Sequence, residues 1–152
     1  MSKKNSYNIV KLVNLKLVKE EAFRNYSSIS SEADIVGLMK RYIQDEYREV
    51  AFIIGMDTNN RPCLIHKLGM GGINNCPVPV ASIIKPLLLA NCSTAILMHN
   101  HPSDTMNPSE ADLTLTNRVR DAMKLMEMEL LDHIIVNSDC SQSYSMRGSL
   151  HW

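Results

Sequence analysis

Apolar residues recur along this chain in two rhythms. Val50-Ala51-Phe52-Ile53-Ile54 and Ala95-Ile96-Leu97-Met98 are continuous apolar runs, and His133-Ile134-Ile135-Val136 is nearly one. Runs of this length read as strands covered on both faces of a sheet. Elsewhere the spacing is three and four: Ile35, Leu38, Met39, Tyr42 and Ile43 share one face of a helix running from about Ser31 to Glu46. Leu115, Val119, Ala122, Met126 and Leu130 continue that spacing in a second helix, which Asn107-Pro108 opens, with Asn107 as N-cap, Pro108 in the first helical position and Glu110 closing a capping box. Val80 to Cys92 is a third apolar helix, started or kinked at Pro86. A further strand over Cys63 to Leu68 follows the Val50–Met56 strand through Asp57-Thr58-Asn59-Asn60, whose asparagines tolerate the left-handed conformation of a tight turn. The class is α/β, and the segment around residue 99 is a strand, helix, strand unit with a right-handed crossover.

The first 28 residues stand apart as an N-terminal extension, in which Ile9, Leu12, Leu15 and Leu17 within Tyr7–Val18 suggest one or two edge strands. Ser27-Ser28-Ile29-Ser30-Ser31 is a polar junction, and residues 29–152 form the domain. A total of 152 residues suits a single core. The tail from Ser141 adds a final strand and Trp152.

The chemistry concentrates where the Ala95–Met98 run ends. It passes directly into His99-Asn100-His101-Pro102, and seven residues then separate His101 from Ser109-Glu110-Ala111-Asp112. Histidines at the carboxyl end of a buried strand lie where α/β sheets gather ligands. Ser109 and Asp112 are three apart and share a helix face. Two imidazoles and a carboxylate supply three ligands to a tetrahedral zinc and leave a fourth position for water, the layout of a catalytic site. The competing reading is an ordinary helix start. The same tetrapeptide, Ser31-Glu32-Ala33-Asp34, opens the first helix with no histidines before it. The combination of strand end, His-x-His-Pro and Ser-x-x-Asp favours the metal.

His-x-His, seven residues, Ser-x-x-Asp resembles the signature of the JAMM (MPN+) metalloproteases. The fuller set of His99-Asn100-His101-Pro102, Pro108 to Asp112, Leu131-Asp132-His133-Ile134-Ile135-Val136 and Ser143-Tyr144-Ser145-Met146-Arg147 is similar to the RadC-like branch of that family. The resemblance extends from about Ile29 to Leu150. It implies a mixed sheet flanked by helices, the three-layer JAB/MPN sandwich that resembles the cytidine deaminase core. It implies further that His99, His101 and Asp112 bind Zn2+, and that Ser109 hydrogen-bonds beside the reacting water or the oxyanion. The family's general base is a glutamate at the start of an upstream strand; Arg48-Glu49 before Val50–Ile54 and Asp57 matches that pattern, with Glu46 as the competitor. The implied activity is zinc-dependent hydrolysis of a peptide or isopeptide bond in a protein or peptide substrate. The alternative is a zinc-containing binding module working beside DNA-repair or mobile-element proteins, a nucleic-acid-associated context.

Composition removes other classes. Lys+Arg and Asp+Glu balance at 16 each, so no global field holds DNA, and Lys40, Arg41 and Arg48 read as a solvated face. No apolar run reaches a membrane span, and Met1-Ser2-Lys3-Lys4-Asn5 opens without a secretory apolar core, so the expectation is a cytoplasmic protein. Cys63, Cys76, Cys92 and Cys140 contain no Cys-x-x-Cys pair and read as reduced thiols. The 10 methionines, several on the helix after the site, read as core filling. Gly69-Met70-Gly71-Gly72 lacks the Lys-Ser/Thr ending and the glycine spacing of a phosphate loop. His-Asn-His here is unrelated to the dispersed HNH nuclease motif, and the His-x-Glu and Pro-Cys-x-x-Cys of zinc deaminases are absent. His66, His133 and His151 have no partners at ligand spacing and read as structural or exposed.

Overall fold

A computed structural model describes residues 27–44, 46–70, 78–103 and 105–149. The Tyr7–Val18 strands, Cys76, His151 and Trp152 lie outside the described residues. The elements in chain order are α1 (Glu32–Ile43), β1 (Val50–Met56), β2 (Pro62–Met70), α2 (Val80–Leu89), β3 (Thr94–His101), α3 (Glu110–Leu125), β4 (Glu129–Asn137) and β5 (Ser143–Ser145), closed by a 3-10 turn at Met146–Ser149. The strands form one mixed sheet in the order β2-β1-β3-β4-β5. β3 and β4 run parallel, as a strand, helix, strand unit requires, and the other neighbours are antiparallel. No helix among the described residues is long and apolar enough to cross a membrane.

Period-two alternation sorts the sheet's side chains into two cores. Phe52, Ile54 and Met56 of β1 and Ile96 and Met98 of β3 pack against Ile35, Leu38, Met39 and Ile43 of α1. Ile53, Ala95 and Leu97 point to the other face and meet Ile83 and Leu87 of α2 and Leu115, Val119 and Met123 of α3. The result is helix, sheet, helix in three layers. Strands covered on both faces explain why β1 is buried at every position. Gly55 is required for the closeness of one layer: a Cβ there would lie 2.4 Å from the Cys92 Sγ and 2.8 Å from Leu87.

Several boundaries differ from the sequence expectation. The cap of α3 is Ser109, not Asn107, and the box partner is Asp112, not Glu110: the Ser109 hydroxyl accepts from the Asp112 N–H while the Asp112 carboxylate accepts from the Ser109 N–H. The helix also stops earlier than its apolar stripe implied. Glu127 takes a left-handed φ of 57°, so Met126 is a half-exposed cap and Leu130 is buried from β4 instead. That strand starts at Glu129, four residues before His133. Helix α2 ends at Leu89, with Pro86 inside it and Cys92 beyond it. In the β1–β2 hairpin Asn60 does adopt the left-handed region, φ 57°, while the Asp57 carboxylate accepts from the Asn59 and Arg61 N–H groups. Cys63, Cys92 and Cys140 are free thiols, the first two with Sγ atoms 3.1 Å apart.

Candidate metal centre

The site follows from carrying the two periodicities one step past the apolar core. Along β3, Ala95 and Leu97 face α3, so His99 and His101 emerge on the same side. Along α3, the buried stripe Leu115, Thr116, Val119 and Met123 reaches back by three and four to Asp112 in the first turn. Ala51 pairs with His99 across the antiparallel β1–β3 seam, and two residues earlier on the same face comes Glu49. A strand end, a helix start and a strand start therefore meet at one point. Each of Glu49, His99, His101 and Asp112 offers a ligand atom there, all within 4.8 Å of one another.

The interior of the group is dry. His99 is fully buried and Asp112 is 1% exposed, while the His101 side chain keeps 14% of its surface as the site's opening. His99 Nε2 and His101 Nε2 lie 2.8 Å apart, and Asp112 Oδ1 is 3.4 Å from His99 Nε2. The remaining ring nitrogens are anchored outward. His101 Nδ1 lies 2.5 Å from the Thr105 carbonyl and donates to it, and His99 Nδ1 contacts His133 Nε2 at 2.8 Å. On the carboxylate, Oδ2 accepts from the Ser109 N–H and hydroxyl, both at 2.7 Å, whereas Oδ1 is buried with no hydrogen-bond partner. An orphaned buried carboxylate oxygen is costly. Here it faces His99 Nε2, while His101 Nε2 lies 3.7 Å from Oδ2, and a divalent ion of the kind His and Asp bind would give the orphaned oxygen a partner.

Burial drives His99 well below the ordinary imidazole range, and the adjacent His133 adds to the effect. His101 moves the opposite way, because its contact with Asp112 favours the imidazolium more than burial opposes it. Burial raises the Asp112 carboxyl, but the His101 contact, the His99 charge and the Ser109 hydrogen bonds outweigh it and hold the group below the usual carboxylate range. The opposite shifts of His101 and Asp112 thus arise from one contact, where an ion held by these residues would compete with a proton.

Of the residues singled out in the sequence, Glu49, His99, His101 and Asp112 are brought together. Ser109 adjoins them with its single hydroxyl hydrogen directed at Asp112. Glu46 is not among them: its carboxylate pairs with Lys67 at 2.8 Å. Sequence reasoning missed three supporting residues. His133, set aside as lacking partners at ligand spacing, is 1% exposed and touches both His99 and Thr116. The usable signal was parity: in a strand parallel to β3 it pairs with Leu97 and so faces α3. Thr116 sits four residues past Asp112 on the same stripe. Asn100 is the third; it is fully buried, accepts from the Val50 N–H at 2.7 Å, and donates to the Arg48 carbonyl at 3.1 Å and the Glu46 carbonyl at 3.4 Å. It fastens the segment bearing Glu49 to β3 just where the backbone ladder between β1 and β3 ends at Ala51–His99.

A three-layer α/β sandwich with a His, His, Asp group at the carboxyl end of a central strand defines a JAB-type domain. Residues 29–150 match the RadC-like JAB domain family, and this chain belongs to it. Among its curated relatives, the UPF0758 protein plu4865 of Photorhabdus laumondii subsp. laumondii is 31% identical over 147 residues, covering 92% of this chain and 64% of that protein. The UPF0758 protein NTHI1125 of Haemophilus influenzae is 41% identical over 99 residues, 64% of this chain and 45% of that one. A UPF0758 protein of Pseudomonas syringae pv. tomato is 34% identical over 116 residues, 76% and 52% respectively. The chain thus spans about half to two thirds of the length of these relatives.

Proposed function

We propose that this domain is a zinc-dependent metallohydrolase that cleaves a peptide or isopeptide bond in a protein or peptide substrate. The observation that carries the reading is the convergence of Glu49 with His99, His101 and Asp112 inside 4.8 Å, with Asp112 Oδ1 unpartnered. His99, His101 and Asp112 would hold the ion. Zinc in such a donor set supplies Lewis acidity, taking the pKa of a coordinated water from about 15.7 towards about 7 and polarising a carbonyl.

The chain's own groups then have distinct tasks. Glu49, half-buried at the start of β1, accepts the proton of the attacking water and returns it to the nitrogen of the leaving amine. Glu46 is a poorer base, since Lys67 holds its carboxylate in an ion pair away from the group. Ser109 holds Asp112 Oδ2; to donate to an oxyanion instead, its hydroxyl must turn away from that carboxylate. A binding module has no use for a base beside an open ligand position, which favours the enzyme over a nucleic-acid-associated scaffold.

The test is elemental analysis followed by hydrolysis of a pooled set of linear peptides and branched Lys-linked isopeptides. Expected are about one zinc per chain in the wild type, none in His99→Ala, and cleavage by the wild type that Glu49→Gln loses while keeping its zinc. Wild-type protein that takes up no zinc, or a Glu49→Gln variant that cleaves as fast as wild type, overturns the reading.

A further inference from the structure

Behind the candidate ligands runs a buried relay of hydrogen bonds that touches no substrate. Thr116 Oγ1 lies 2.5 Å from the Asp112 main-chain carbonyl and 2.6 Å from His133 Nδ1, and His133 Nε2 lies 2.8 Å from His99 Nδ1. Thr116 and His99 are fully buried and His133 is 1% exposed, so no water competes for these groups.

The direction of the relay is decided at its far end. A carbonyl oxygen only accepts, so at 2.5 Å the Thr116 hydroxyl must give its hydrogen to Asp112; the reverse would press two lone-pair-bearing oxygens together. With that hydrogen committed, Thr116 Oγ1 accepts from His133, which places the His133 proton on Nδ1. Neither ring nitrogen of His133 touches a carboxylate, its partners being the Thr116 hydroxyl and the His99 ring, and a charge held by such partners in a dry interior is expensive, so the ring is neutral. His133 Nε2 therefore carries a lone pair and accepts from His99 Nδ1–H. Neutral His99 is left with a bare Nε2, the nitrogen that faces His101 and Asp112.

We infer that Thr116 and His133 are positioning residues that fix the tautomer of His99, so that its Nε2 faces the candidate metal centre as a lone-pair donor. Asp112 serves both ends of this arrangement: its carboxylate faces the centre and its carbonyl, one turn of α3 from Thr116, sets the direction of the relay. A threonine hydroxyl returning to the carbonyl four residues back is common in helices. The bond onward to His133, from a different strand, gives it a consequence beyond the helix. The inference rests on the metal-site reading for its purpose, but the proton positions exist in metal-free protein and can be read there.

Long-range proton–nitrogen spectra of histidine-labelled, metal-free protein should show His99 and His133 both protonated at Nδ1 and bare at Nε2. The accompanying measurement is zinc affinity by competition with a chromophoric chelator. His133→Phe, which keeps the ring volume and removes the acceptor, should weaken zinc about 10- to 100-fold, the range seen when a partner behind a metal-binding histidine is lost. His133→Gln, whose amide oxygen can replace Nε2 as acceptor, should recover most of that loss. Thr116→Val, which is isosteric, should shift the His133 ring nitrogens even if His133→Phe fails to fold. His99 protonated at Nε2 in the metal-free protein, or His133→Phe binding zinc as tightly as wild type, overturns the inference. Wild-type protein that shows the expected tautomers and takes up no zinc overturns the metal site and leaves the relay standing.

Discussion

The tetrapeptide Ser-Glu-Ala-Asp occurs twice, at residues 31–34 and 109–112, and each copy opens a helix with a complete capping box. Local structure is the same; surroundings are not. Asp34 is exposed, and its Oδ2 accepts from the Ser30 N–H and hydroxyl and from the Ser31 N–H. Those bonds, that of the Ser30 N–H foremost, hold its carboxyl low with water on every other side. Asp112 uses the same oxygen for the same cap, but the helix start is pressed against the end of β3: Oδ1 is left facing His99 Nε2, and His101 Nε2 lies 3.7 Å from the capped Oδ2. Capping occupies one carboxylate oxygen and leaves the other without a hydrogen-bond partner beside His99.

The largest predicted difference between the copies is in metal content. Asp112→Ala should reduce zinc from about one per chain to none by elemental analysis, while Asp34→Ala should leave it unchanged. Zinc retained by the first variant, or lost by the second, would erase the distinction.

Next is pH. Burial lowers His133 from 6.5 to about 4, so the unfolded chain takes up this proton first as the solution is acidified. The neutral ring's contribution is thus fully present above pH 6.5 and is lost as pH falls towards 4, a span worth about 3 kcal/mol. Urea unfolding of chelator-treated protein across that interval should show the loss, and His133→Gln should reduce it, leaving the part that the buried His99 contributes. The Asp34 end should contribute nothing there, because a lowered carboxyl stabilises above its ordinary range near 3.8 and fails only below it.

The smallest effects separate cap from site. Ser31→Ala and Ser109→Ala should each cost about 1 kcal/mol in the same unfolding assay. Only Ser109→Ala should also weaken zinc, by about tenfold, because it frees Asp112 Oδ2 from its anchor. Equal zinc affinity in both variants would mean that the cap at Ser109 does nothing for the carboxylate.

What could be read in the sequence, and what could not, divides along the same line. The apolar runs of β1 and β3 and the alternation that carries Leu97 on to His99 and His101 are properties of adjacent residues, so they were legible. Glu49 was legible only beside Glu46, and Lys67 on β2 separates them, an ion pair spanning 21 positions. The stop of α3 was obscured because Glu127, not a glycine, takes the left-handed turn, so the apolar spacing ran on unbroken to Leu130. Asn107-Pro108 and Ser109-x-x-Asp112 are both valid helix starts, so the sequence alone does not separate a cap at Asn107 from the one at Ser109, where the helix start meets the histidines. His133 and Asn100 act through strand neighbours, which no linear spacing reveals.

Chain connectivity gives the centre an uneven construction. The three candidate ion-holding side chains lie within residues 99–112, so bringing them together closes only a short loop, at small entropic cost. Glu49 arrives through contacts such as the Val50–Asn100 bond, which spans 50 positions and forms only once the β1–β2 hairpin has docked. Capture of an ion and transfer of a proton thus depend on segments with different folding histories. Loosening the hairpin, as Asn100→Ala would, should leave a domain that fills with metal and yet has no base in place to use it.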